Sequence, residues 1–140
     1  VEPAVVGELP CARKGAAAGA SGDDTVVLFG GHAAGEQGED IYLNDLHLLE
    51  VESLSRVHCT KREASGNVPP PRAGAMLQEH SPGRLLLYGG VGAGGRTLGD
   101  AWLLDVATLT WECLYDGTPD TVGTQVGVRA AEVNLDTGVF

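Results

Sequence analysis

Basic side chains are in short supply: nine Lys and Arg stand against nineteen Asp and Glu, a formal net charge of −10. A chain so charged is repelled by a phosphate backbone and by an anionic membrane surface, which argues against nucleic acid and membrane as partners. The acidity itself reads first as a means of solubility. No apolar run approaches the roughly 20 residues that a membrane-spanning helix needs, and no signal-peptide pattern is present. Cysteines number three, Cys11, Cys59 and Cys113. Their odd count and separations of about fifty residues fit neither a disulfide framework nor zinc-ligand spacing, so reduced thiols in a cytoplasmic protein are expected. His32, His47, His58 and His80 are scattered singly; neither a metal site nor a catalytic constellation arises from them, and no cofactor is expected. Aromatic residues are also few, seven in all.

Glycine is what the sequence has in excess. Twenty-one Gly and seven Pro in 140 residues imply many tight turns between short elements, the signature of an all-β fold. At this length a compact domain hides roughly 68–70% of the surface of its unfolded chain, enough for a real core.

The glycines recur in register. Phe29-Gly30-Gly31 follows Val26-Val27-Leu28, and Tyr88-Gly89-Gly90 follows Leu85-Leu86-Leu87, 59 positions later. Arg13 and Gly15 repeat as Arg72 and Gly74 at the same offset. In the second half of the unit, Asp45-Leu46-His47-Leu48-Leu49-Glu50-Val51 matches Asp100-Ala101-Trp102-Leu103-Leu104-Asp105-Val106 at an offset of 55, with Leu54 on Leu109 and Ser55 on Thr110. The four-residue difference falls in the loop after the double glycine. Each unit reads as four short strands: 16–20, 25–29, 45–49 and 56–60, then 73–77, 84–88, 100–104 and 110–114. Ser21-Gly22-Asp23-Asp24 and Ser81-Pro82-Gly83 are hairpin turns, and Pro69-Pro70-Pro71 marks the joint between units.

This pattern resembles the kelch repeat, one four-stranded antiparallel blade of a β-propeller. The residues that carry the likeness are Pro71-Arg72-x-Gly74, the aliphatic run into Tyr88-Gly89-Gly90, Leu98-Gly99-Asp100 with Asn44-Asp45-Leu46 as its counterpart, and Trp111 seven residues after Leu104. In the first unit the motif positions are Phe29, Gly30, Gly31, Asp45 and Leu49, with Arg56 aligned to Trp111. The resemblance implies an incomplete ring: a preceding loop over 1–10, a first blade over 11–60, an inter-blade loop over 61–71 and a second blade over 72–115. Residues 116–140 then form a further loop and the start of a third blade. Trp111 is expected to wedge between blades, and the rest of the propeller to be a partner of this segment.

Gly90-Val91-Gly92-Ala93-Gly94-Gly95 also satisfies the G-x-G-x-x-G pattern of dinucleotide-binding turns. That chemistry needs a helix directly after the third glycine. Arg96-Thr97-Leu98-Gly99 leaves no room for one, so the glycines read as a loop.

In an antiparallel meander, the loops joining strands two and three share one face with the loops joining successive blades. That face receives the long segments 32–43, 60–71, 91–99 and 115–124, and with them Arg13, Arg72, Arg96, Lys61, Arg62 and His32. The resulting expectation is a non-catalytic interaction scaffold offering this face to a protein or an acidic peptide. The resemblance implies that Arg13 and Arg72 can grip carboxylates, and a second reading has the same arginines tying the strand start to the preceding loop. The alternative function is an enzyme whose catalytic residues lie in blades outside this chain.

Overall fold

The computed structural model of the chain describes residues 4–117. The start of a third blade, expected within 116–140, lies outside the described residues. Alternating apolar residues and frequent turns give strands, and those of the described residues assemble into two five-stranded sheets and a two-stranded ribbon. The first sheet contains β1 (Ala4–Gly7), β2 (Ala17–Ser21), β3 (Thr25–Ala34), β4 (Asp40–Ser53) and β5 (Arg56–Arg62), in the order β1-β5-β4-β3-β2. The second contains β6 (Ser65–Gly66), β7 (Met76–Ser81), β8 (Arg84–Tyr88), β11 (Ala101–Asp105) and β12 (Thr110–Tyr115), in the order β6-β12-β11-β8-β7. Between β8 and β11 lie β9 (Val91–Gly92), a single 3-10 turn (Ala93–Gly95) and β10 (Arg96–Thr97). The G-x-G-x-x-G segment is therefore a small hairpin, with Arg96 opposite Gly92.

Within each sheet four strands form the expected antiparallel meander, and side chains alternate between its two faces. Phe29 lies opposite Ala17 and Leu46, and Val27 opposite Leu48, which puts these residues on one face of the first blade. In the second blade Leu87 is opposite Leu77 and Trp102, and Leu85 opposite Leu104. These two faces meet in a single buried cluster. Trp111 fills the seam, 3% exposed, with its ring edge-on to Phe29 at a centroid distance of 5.0 Å. Burying a ring of that size removes on the order of 200 Å2 from water, which makes Trp111 a principal contributor to the joint.

Several expectations need correction. Residues 1–10 are not simply a loop: Ala4–Gly7 runs parallel to Arg56–Cys59 along the outer edge of the first blade. Nor is 61–71 only a connection, because Ser65 and Gly66 pair in parallel with Thr110 and Trp111. Gly7 and Gly66 are again 59 apart, so each unit begins with a short parallel strand laid on the outer strand of its own blade. The first strand of the second blade starts at Met76, while Ala73 makes a single bridge to Val91. The segment 32–43 is largely strand as well, because β3 and β4 continue past the double glycine to Ala34 and from Asp40.

The register of β5 also differs from the alignment. Leu49 pairs with Cys59, ten positions on, whereas Leu104 pairs with Trp111, seven positions on. Cys59, not Arg56, therefore occupies the place of Trp111. The hairpin between β4 and β5 is longer, and Leu54 at its tip is 96% exposed although its aligned partner Leu109 is 9% exposed.

Candidate functional site

Two arginines organise the end of the blades where the long loops gather. Arg72 is 1% exposed. Its Nη1 and Nη2 each donate to a carboxylate oxygen of Asp100 at 2.6 Å, Nη1 also donates to the Gly89 carbonyl at 2.9 Å, and Nε donates to the Pro70 carbonyl at 3.1 Å. Arg13 repeats the arrangement, with Nη1 and Nη2 on Asp45 at 2.5 and 2.9 Å, Nη1 on the Gly30 carbonyl at 3.0 Å and Nε on the Cys11 carbonyl at 3.1 Å. One guanidinium thus joins the lead into a blade, the double glycine and an acidic residue of the third strand, Asp45 within it and Asp100 just before it. The planar fork of arginine suits this bidentate task.

A ring N–H completes each clamp. Trp102 Nε1 donates to Asp100 Oδ2 at 2.8 Å, and His47 Nε2 does the same to Asp45 Oδ2 at 2.8 Å. His47 thus replaces tryptophan because both rings place an N–H at that point, a role that sequence comparison signalled by aligning the two residues. The second nitrogen of His47, Nδ1, is buried without a partner among the described residues, as is Trp111 Nε1. A buried donor left without an acceptor costs roughly 1–3 kcal/mol.

Burial pushes the Asp45 carboxyl upward, but hydrogen bonds from Arg13 and His47 outweigh it and hold the pKa at about 2, below its ordinary 3.8. Asp100 is lowered in the same way, burial being overcome by Arg72 and Trp102. A depressed carboxyl contributes stability that is complete above the ordinary value and is lost as pH falls through the folded value. For Asp45, which is partly screened by solvent, that contribution is on the order of 1 kcal/mol. The melting-temperature gap between the parent protein and Asp45→Asn is therefore expected to be constant at neutral pH and to close as pH falls from 3.8 toward about 2. A gap that persists at the acid end counts against the clamp as the source.

The clamps also decide the fate of the six candidate partner-binding residues. Arg13 and Arg72 direct these donors to groups of their own blades, which matches the second of the two readings, the tie between strand start and preceding loop, rather than a grip on a partner's carboxylate. His32 extends β3, donates from Nε2 to Asp40 at 2.8 Å and rests its ring on Tyr42 at a centroid distance of 5.0 Å. This His32–Asp40–Tyr42 hairpin stands as a ridge between two clefts. The outer cleft, about 530 Å3, is lined by Asp40, Tyr42, Pro70, Pro71, Arg96, Thr97, Leu98, Asp100 and Asp116, with Ala93 and the glycines around it. The inner groove, also about 530 Å3, runs past Lys14, His32, Tyr42, Ala73 and Val91. Arg96 is exposed on the wall of the outer cleft. Lys61 and Arg62 belong elsewhere, at a smaller cavity on the rim. Asp40 and Tyr42 escaped the sequence reading, which took their segment as loop.

A family described as the KLHDC2/KLHL20/DRC7 Kelch-repeats domain matches residues 1–131. The chain is 40% identical over 125 residues to the dynein alpha chain of the flagellar outer arm of Chlamydomonas reinhardtii, covering 87% of this chain and 3% of that protein. It is 36% identical over 117 residues to human host cell factor 1, covering 75% of this chain and 6% of that protein. It is 30% identical over 105 residues to acyl-CoA-binding domain-containing protein 5 of Arabidopsis thaliana, covering 75% of this chain and 15% of that protein. The chain thus spans a small fraction of the length of these relatives.

Proposed function

Because this chain belongs to the kelch-repeat domain family, we propose that it is a non-catalytic interaction module whose outer cleft and neighbouring ridge receive a segment of another protein. One observation carries the reading. A buried and a part-buried clamp fix the bases of two unequal hairpins, and the space between those hairpins is an open cleft with Tyr42, two prolines, an exposed arginine and the Asp40 and Asp116 carboxylates on its walls. Such a surface offers apolar contact and an exposed cation at Arg96 beside carboxylates, which suits a peptide segment that places an acidic side chain at Arg96 and apolar or basic ones elsewhere. Further support comes from the relatives, whose names share no reaction, as expected where a fold is reused for making contacts. The unpaired Cys11, Cys59 and Cys113 agree with a reducing, cytoplasmic setting.

The test is a photo-crosslinking residue placed at Tyr42, at Arg96 or, as a control at the far end of β8, at Arg84, in the full-length protein within its own cells. Positions 42 and 96 are expected to give a discrete protein adduct that position 84 does not. Arg96→Glu should weaken capture of that protein by about tenfold, the loss of ~1.4 kcal/mol of charge-assisted contact. Equal crosslinking at all three positions, or none at 42 and 96, removes the basis for the proposal.

A further inference from the structure

We infer that Asn44, which is not among the residues lining the outer cleft, is a positioning residue for it: its side-chain amide fixes the proline strap that forms part of the cleft wall. The inference rests on the protein-binding reading above and deepens it. The strap is Pro69-Pro70-Pro71, at the joint between the two units. Three successive prolines have φ fixed and no N–H, so the segment is stiff and can be tied to its surroundings only through its carbonyls and its rings. Pro69 is fully buried, whereas Pro70 and Pro71 are exposed and stand on the cleft wall.

The ties at the two ends of the strap lead to the same hairpin. At its start, Asn44 Nδ2 donates to the Pro69 carbonyl at 3.2 Å. Just past its end, the Arg72 N–H donates to the Leu43 carbonyl at 3.0 Å, and the Arg72 carbonyl accepts from the Gly31 N–H at 2.8 Å. Leu43 and Asn44 belong to β4 and Gly31 to β3. The strap is therefore fastened at both ends to the hairpin that carries Tyr42, so that Pro70, Pro71 and the phenol hold a fixed arrangement in the cleft that Arg96 and Leu98 complete. The second unit shows that a blade does not need this amide. Gly99 stands at the position of Asn44, 55 residues on, beside a clamp just as complete. A Cβ at Gly99 would have nothing within 4 Å, so packing does not exclude a side chain there. The Asn44 bond thus serves what is particular to the first joint, the donor-free strap beside the cleft.

The experiment uses the full-length protein with spin labels attached through p-acetylphenylalanine at Gln37, near the tip of the hairpin, and at Asn67, before the strap, both exposed positions. Pulsed electron paramagnetic resonance reads their separation. The parent is expected to give a narrow distance distribution. Asn44→Ala and the near-isosteric Asn44→Asp, whose carboxylate has no hydrogen to donate, are expected to broaden it. In the crosslinking assay at position 96, each variant is expected to yield about fivefold less of the adduct that the parent gives, the loss of one neutral hydrogen bond. An amide with a merely structural role lowers the melting temperature while distances and adduct stay at their parental values, and that outcome overturns the inference. So does an Asn44→Asp protein that behaves as the parent does, since the donor is then irrelevant. Broadened distances in the variants with no adduct in the parent reject the protein-binding reading while keeping Asn44 as the residue that positions the wall, and parental distances with an intact adduct do the opposite.

Discussion

Replacing Arg72 with alanine is expected to destabilise the protein by about 3–5 kcal/mol, the usual consequence of leaving a buried charge without its partner. Asp100 loses two hydrogen bonds of 2.6 Å, the Gly89 carbonyl loses its donor, and the Pro70 carbonyl is released from the lead into the blade. Asp100→Asn should cost a similar amount from the other side, because it strands a guanidinium that is 1% exposed. Arg72→Met combined with Asp100→Leu is expected to recover much of the loss, since two apolar groups leave no unpaired charge. Urea unfolding of the full-length protein measures all three. A partner-binding arginine gives the reverse outcome, an unchanged midpoint with lost capture, and that result would remove the clamp as the reason for Arg72.

Gly30→Ala is expected to be comparably severe, at about 2–5 kcal/mol, from left-handed backbone strain and overpacking together. Gly30 has φ +70°, and a Cβ there would lie 2.6 Å from the Arg72 carbonyl oxygen and 2.8 Å from that of Leu43. Both are backbone atoms held by hydrogen bonds, Gly31 N–H to the Arg72 carbonyl at 2.8 Å and Arg72 N–H to the Leu43 carbonyl at 3.0 Å, so neither can turn aside. Gly74→Ala supplies the contrast: its φ is +72°, but nothing lies within 4 Å of the added carbon, so it should cost only the 1–2 kcal/mol of the left-handed conformation, approximately. Hydrogen exchange should speed up at Gly31 and Arg72 in the first variant and not in the second. Equal destabilisation by the two substitutions would mean that the close approach of the blades at Gly30 is unimportant.

What the sequence revealed follows from where its physics is local. The strand Arg84–Tyr88 was legible to the residue because a leucine run ends in a double glycine. The wedge at Trp111 was legible because a large ring stood at a repeated position. The parallel strands were not: Ser65 and Gly66 are small, exposed and paired with residues 45 positions away, so no nearby pattern announces them. The fourth strand of the first blade misled for a different reason. Leu54-Ser55 mimics Leu109-Thr110, yet three extra residues in the hairpin turn that leucine into solvent. The arginines were placed at the correct end with two possible tasks, and the tie from strand start to preceding loop is the one their hydrogen bonds match. The correct signal was available in the spacing. Arg13 precedes Asp45 by 32 residues and Arg72 precedes Asp100 by 28, the same four-residue difference that separates the two loops, as expected if each pair closes over its own hairpin.

The parallel strands bear on how such a protein behaves in a crowded solution. The outer margin of a blade is a row of open backbone donors and acceptors that invites pairing with another molecule. On the first blade Ala4–Gly7 occupies that row along Arg56–Cys59, while on the second, among the described residues, Ser65 and Gly66 lie along the start of Thr110–Tyr115. The polypeptide thus seals its own perimeter as it passes from blade to blade, more fully on one than on the other. Self-association under stress should begin at the second blade's margin, where Glu112 is the charge best placed to oppose it.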